Sequence, residues 1–153
     1  MASVMQLNKS IIINKSAHEV FEYLKLTRNQ EFFSVWNMTD PNKVTTTNGV
    51  DGTVGFIYTW DSKNKNVGAG SQKIINITDG KKIDYEITFL KPMKNVCHSS
   101  FIIDKINESE TKVTWDFNCP TKFPMSLFKG FFQKMLGKDI SKSLENLKSN
   151  LEK

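Results

Sequence analysis

No apolar stretch in this chain approaches the roughly 20 residues that a membrane-spanning helix needs. The segment Met1 to Ser10 lacks the hydrophobic region of a secretory signal, so the expected location is cytoplasmic. Cysteine is scarce: Cys97 and Cys119 are too few for a disulfide framework or a structural zinc site. In a cytoplasmic protein both are expected to be reduced and to serve as small core hydrophobes, although their strands look like neighbours. Arginine, the residue that base and phosphate recognition favours, is nearly missing apart from Arg28. The 21 Lys and Arg outnumber 16 Asp and Glu for a net charge of +5, but they are strewn along the chain without a run of four. Dispersed lysine of this kind serves solubility, and nucleic acid is not an expected partner. Also missing are a Ser-His-Asp order, a metal-ligand cluster, an HExxH motif and a glycine-rich phosphate loop. Gly49, Gly52 and Gly55 recur by threes, yet they lead into a strand rather than opening a helix. No cofactor is expected.

What is present reads as one domain over residues 1–153, an ordinary size for a single core. Hydrophobic residues make up 39% and charged residues 24%, as in globular proteins generally. Leu7 to Ile13 ends in three isoleucines and predicts a strand by β-branching. Ser16 and Glu19 form a capping box ahead of Val20, Phe21 and Leu24, predicting a helix over Ala17 to Leu24. A second short helix is expected over Thr27 to Ser34, with Phe32 and Phe33 before Trp36.

Beyond the loop at Asp40-Pro41 the period becomes two. Thr53 to Asp61 carries Val54, Phe56, Tyr58 and Trp60 on one face. Val67 to Thr78 follows, with Gly68 and Gly70 marking a bend, bulge or close approach. Asp79-Gly80 signals a hairpin into Ile83, Tyr85, Ile87 and Phe89. Val96 to Ile106 and then Val113, Trp115, Phe117 and Cys119 complete the alternating strands, and Pro120 and Pro124 are expected to end the sheet. From Met125 the period turns helical through Phe128, Phe131, Phe132, Met135, Leu136, Ile140, Leu144, Leu147 and Leu151. That predicts one helix of about 25 residues, near 37 Å long, with Gly137 a weakening interruption.

The order predicts an α+β fold: an antiparallel sheet, hydrophobic on one face, covered by a long amphipathic helix. The inward aromatics either fill that interior or line a cavity in it. Several motifs carry a resemblance to a known family. Ser16-Ala17-His18-Glu19-Val20-Phe21-Glu22-Tyr23-Leu24 resembles its opening helix, and Trp36 the tryptophan after the second. Gly52-Thr53-Val54-Gly55 through Trp60, Gly68-Ala69-Gly70 with Ile83-Asp84-Tyr85-Glu86, Thr111-Lys112-Val113-Thr114-Trp115 and Leu144-Glu145-Asn146-Leu147-Lys148 resemble later strands and the closing helix. In order and spacing the chain is similar to the START-like (SRPBCC) superfamily, within it to small bacterial polyketide cyclase/dehydratase-type proteins. The resemblance implies a helix-grip fold, in which a curved antiparallel sheet wraps a long C-terminal helix with two short helices after the first strand. The superfamily includes lipid and sterol carriers, plant ligand binders, polyketide cyclases and a co-chaperone domain, so it does not name a reaction.

Candidate ligand-binding residues are Trp36, then Phe56, Tyr58 and Trp60 from one strand and Tyr85, Ile87 and Phe89 from another. Phe101, Trp115 and Phe117 come from the last pair, and Phe128, Phe131 and Met135 from the long helix. Such a lining suits a small hydrophobic molecule, with Tyr58 and Tyr85 free to orient it and Ser71 and Ser99 as smaller versions of the same idea. Catalytic residues are not identifiable. His18 opens a helix, His98 lies on the phase opposite Phe101, and Asp84, Glu86, Asp104 and Asp116 share that outward phase. Asp61 ends its strand at the expected rim. Three functions are therefore carried forward: binding of a lipid, aromatic polyketide or similar metabolite by a monomer or homodimer; a polyketide cyclase/dehydratase that works largely by holding its substrate in shape; and a co-chaperone-like interaction module.

Overall fold

The computed structural model describes residues 3–65, 67–91, 94–121 and 129–153. Strand β1 (Ser3–Ile13) is followed by α1 (Ala17–Leu24), a 3-10 turn (Thr27–Phe32) and a short α2 (Val35–Thr39). Six strands come next, β2 (Val44–Asn48), β3 (Ile57–Asp61), β4 (Ala69–Thr78), β5 (Lys82–Lys91), β6 (Asn95–Asn107) and β7 (Glu110–Thr121), then the long helix α3 (Lys129–Leu151). The strands form one antiparallel seven-stranded sheet in the order β1-β7-β6-β5-β4-β3-β2. This is the helix-grip architecture.

Local chemistry explains the boundaries. The Ser16 hydroxyl accepts from the Glu19 amide at 3.2 Å and starts α1, whose Val20, Phe21 and Leu24 are buried. The 3-10 turn is capped from a distance: the Asp51 carboxylate accepts from the Thr27 amide at 2.8 Å and the Arg28 amide at 3.1 Å. The helical segment is tied to α3 by three side chains on one helix face. Ser143 Oγ accepts from the Val35 amide at 2.9 Å, while the amides of Asn146 and Asn150 donate to the Phe33 and Phe32 carbonyls. The same α3 face buries Ile140, Leu144 and Leu147 in a single core cluster with the inward residues of the sheet.

The structure corrects the sequence reading in several places. The strand expected from Thr53 begins only at Ile57, because Gly52 and Gly55 adopt positive φ and turn the chain there. Val54 is consequently 60% exposed. The second helix, expected over Thr27 to Ser34, is a 3-10 turn that ends at Phe32, and a separate α2 follows from Val35, with Phe33 buried and Phe32 exposed. Strand β2 was not anticipated; it is an edge strand exposed along its whole length, so no alternation betrays it. Pro120 does not end the sheet but pairs with Val4 inside β7, beyond the last β6 pairing at His98 and Asn118, where a missing N–H costs least. Gly70 is the close approach: a Cβ there would collide with the Thr88 carbonyl oxygen and reach within 2.9 Å of the Trp60 ring. Cys97 and Cys119, expected as thiols, form a disulfide. They face each other on adjacent strands with Cα atoms 4.4 Å apart, at the short end of the range a disulfide spans.

Candidate functional site

The inner face of the sheet and helix α3 do not close completely on each other. Between them lies a cavity of about 70 Å³, in a measure by which one water needs roughly 10–15 Å³. Strands β3, β5 and β7 present Tyr58, Trp60, Ile87, Phe89, Trp115 and Phe117 to it, β4 presents Gln72, and the helical segment presents Gln30, Ser34, Trp36 and Asn37. Leu136, Asp139, Ile140 and Ser143 of α3 form the opposite wall, with Lys43 from the loop before β2.

One end is aromatic. Phe89 sits between two indoles, 5.4 Å from Trp36 and 5.9 Å from Trp60 by ring centroids, the latter edge-on. Both indoles are pinned, since Trp36 Nε1 and Trp60 Nε1 each donate to the Val67 carbonyl at 3.2 Å. Gly70 leaves room beside it for the Trp60 ring, which a Cβ there would meet at 2.9 Å.

Another wall is polar. The Tyr58 hydroxyl donates to one oxygen of Glu31, and Lys43 Nζ binds the other at 2.8 Å and also donates to the Asn37 carbonyl at 2.8 Å. The Lys43 side chain is only 5% exposed, so its charge is held by these partners rather than by water. Burial, reinforced by the hydrogen bond to Glu31 and the Glu31 charge, pushes the Tyr58 phenol well above its ordinary range and keeps it a neutral donor.

The candidates from the sequence divide into groups. Trp36, Tyr58, Trp60, Ile87, Phe89, Trp115 and Phe117 line the cavity. Phe56, Tyr85 and Phe101 are buried but outside its walls: Phe101 packs against Tyr85, Phe33 and Trp115 in the solid part of the core. Met135 must be corrected. It is 50% exposed, because the inner stripe of α3 runs through Leu136, Ile140, Leu144 and Leu147 and Met135 falls beside it. Phe128 lies outside the described residues, and nothing is described of the Phe131 side chain. Ser71 is half-buried on the outer phase, whereas Ser99 is buried inward.

His98 is exposed on the outer face 3.8 Å from Glu86, His18 is exposed, and Asp61 forms a solvated pair with Lys91. None of the three lines the cavity. Among the described residues no group of His, Cys, Asp and Glu is placed to hold a metal ion. Sequence reading missed Gln30, Lys43 and Gln72. Gln72 had a signal, since it occupies the inward phase of β4 between Gly70 and Ile74; Lys43 and Gln30 had none.

A family model for polyketide cyclase/dehydrase and lipid transport proteins matches residues 5–152. The chain belongs to that family. No curated protein matches it. Among solved structures it is similar to norcoclaurine synthase from Thalictrum flavum in complex with dopamine and hydroxybenzaldehyde, with a TM-score of 0.72 at 8% identity over 98% of this chain and 87% of that one. It is also similar to the di-domain ARO/CYC StfQ from the steffimycin biosynthetic pathway, with a TM-score of 0.70 at 11% identity over 97% of this chain and 51% of that one. A protein from Bacillus thuringiensis superposes with a TM-score of 0.69 at 10% identity, over 97% and 99% of the two chains. At such identities these likenesses establish the family fold and leave the ligand and the chemistry to the site itself.

Proposed function

We propose that this family member is a single-domain binder of a small hydrophobic molecule, held between the sheet and α3. The observation that carries the reading is the aromatic end wall, where Phe89 is set between two indoles whose hydrogen bonds fix them in advance. Preorganised aromatic walls reduce the ordering cost of binding. Burial at about 25 cal/mol per Å² gives roughly 5 kcal/mol for a ligand hiding about 200 Å², before the cost of association. The small volume favours a ligand of one or two rings over an extended chain.

The test is native mass spectrometry of protein purified from its own host, compared with an Ile87→Trp variant that fills the cavity. A defined apolar adduct present on the wild type and lost from the folded variant supports the reading. An adduct retained by the variant places the ligand elsewhere and refutes it.

A second reading, a cyclase or dehydratase, is favoured by one feature, the trio of Tyr58, Glu31 and Lys43. Tyr58 and Lys43 line the cavity, and Glu31 joins them, so a proton donor and an acceptor stand beside a ligand site. If the adduct is converted to a new mass on incubation and Tyr58→Phe stops the conversion while retaining binding, the protein is an enzyme. Unchanged conversion by Tyr58→Phe removes this trio from the chemistry.

A further inference from the structure

Resting on the reading that the cavity takes a ligand, we infer that Gln72 is its specificity-determining residue and selects a small neutral ring compound whose edge carries a hydrogen-bond donor beside an acceptor, as a lactam does.

Gln72 sits on the inward phase of β4, directly opposite Tyr58 of β3 and Ile87 of β5, which line the cavity with it. The residue is only 7% exposed, yet its amide makes no hydrogen bond among the described residues. Its nitrogen and oxygen also remain accessible, unlike the Trp115 indole nitrogen, which is sealed in the wall. Tyr58 beside it does not serve as a partner, because its hydroxyl donates to Glu31. Buried polar groups in folded proteins are overwhelmingly paired, and one left unpaired costs free energy. An amide that is buried, unpaired and open to a cavity calls for its partner from inside that cavity.

The chemistry of the amide defines that partner. A carboxamide holds two donors on Nε2 beside an acceptor at Oε1. A ketone meets only the nitrogen and an ammonium only the oxygen, whereas a lactam edge meets both at once. An anion has no support here. Lys43 is already held by Glu31 and the Asn37 carbonyl, and the Asp139 carboxylate on the α3 wall would repel a negative charge. The next inward position on β4 is Gly70, which leaves room for the Trp60 ring and pairs with Phe89. Inward positions along a strand recur about every 7 Å, a distance that a fused pair of rings spans. Trp60 and Phe89 can therefore hold the ring while its polar edge reaches Gln72.

The experiment titrates three probes that share one fused bicyclic frame: indane with no polar atom, 2-indanone with a carbonyl alone, and oxindole with the carbonyl beside an N–H. Binding is followed in ¹H–¹⁵N spectra of the whole chain. Oxindole should bind about tenfold tighter than indane, the effect of a buried polar group gaining its partner, and 2-indanone should fall between them. Oxindole should also move the Gln72 side-chain NH₂ signals downfield, and indane should not. In Gln72→Leu the advantage of oxindole over indane should disappear. The wild-type spectra carry the test even if that variant fails to fold. Equal affinities with unmoved Gln72 side-chain signals, the result expected if water satisfies the amide equally well, overturn the selection while leaving the apolar cavity standing. Binding of 2-indanone as tight as that of oxindole overturns the donor-and-acceptor pairing. Failure of all three to bind overturns the cavity reading and the role of Gln72 together.

Discussion

Breaking the bridge between Cys97 and Cys119 should destabilise the protein by an amount that follows from its place in the chain. The two residues are 22 apart in sequence. Closing a loop of that length removes about 11 cal/mol/K from the unfolded chain, or about 3 kcal/mol at 25 °C. For a chain of this size each kcal/mol moves the melting temperature by about 2–4 °C, so the reduced protein should melt about 6–12 °C lower. Because both cysteines are buried, reduction needs unfolding in denaturant with a phosphine, followed by refolding with the reductant present. Calorimetry of the oxidised and reduced forms then reads the difference, and a Cys97→Ala/Cys119→Ala double variant should melt low and ignore the reductant. Alkylation of the oxidised protein in denaturant without reductant should label neither cysteine. If oxidised and reduced forms melt within about 2 °C of each other, the constraint argument is wrong for this hairpin.

Other outcomes follow from single side chains. Tyr85→Phe should cost about 1 kcal/mol of stability at pH 7 and leave ligand affinity unchanged, since the buried hydroxyl interacts with Thr27 and Gln30 and lies outside the cavity wall; chemical denaturation and titration read both. Burial raises the Tyr85 phenol above its ordinary value of 10.0. The folded state then holds its proton longer than the unfolded chain does. The stability this contributes is intact below pH 10 and is lost above it at about 1.4 kcal/mol per pH unit. Tyr85→Phe should flatten that alkaline limb relative to the wild type, and identical limbs would contradict the burial argument. Gly70→Ala should cost at least about 2 kcal/mol, because its Cβ meets backbone, whereas Gly80→Ala, with open space but φ of 73°, should cost only about 1–2 kcal/mol; comparable losses in urea melts would refute the close approach. Ser143→Ala leaves the Val35 amide without its side-chain acceptor and should cost about 1–3 kcal/mol, read by the same melts.

Much of the fold was legible because its signals are local. Ser16 and Glu19 announce α1, and alternation along Ile83, Tyr85 and Ile87 announces β5 in its observed phase. What was not legible depends on geometry that no local pattern encodes. Strand β2 has no buried face, so its pattern is that of a loop. The disulfide turns on one residue of register. The pairing at the turn sets Asn107 against Glu110, and continued unchanged it would put Cys97 opposite Pro120; an irregularity between Lys105 and Asn107 shifts the ladder and sets Cys97 against Cys119.

The candidate site shows the same limit. Tyr58, Trp60, Tyr85 and Phe101 share the inward phase, but alternation says which face a side chain is on and not what covers it. Where Phe33 and the 3-10 turn cover the sheet, Tyr85 and Phe101 become solid core. Tyr58 and Trp60 instead face α3 across open space and line a cavity. Met135 and Leu136 are neighbours in one apolar stretch, and only the helix rotation set by Ile140, Leu144 and Leu147 decides between them. The polar members escaped for a different reason. Lys43 and Glu31 look like two surface charges until tertiary structure brings them together beside Tyr58.

The central claim is that the space between the sheet and α3 takes a small apolar molecule. The most direct measurement is a titration with indane followed residue by residue in the ¹H–¹⁵N spectrum. The account predicts saturable shifts centred on Gln30, Trp36, Phe89 and Ile140, and their loss in a folded Ile87→Trp variant. Shifts that never saturate, that gather on the outer sheet face around His98 and Glu86, or that persist in Ile87→Trp would contradict it.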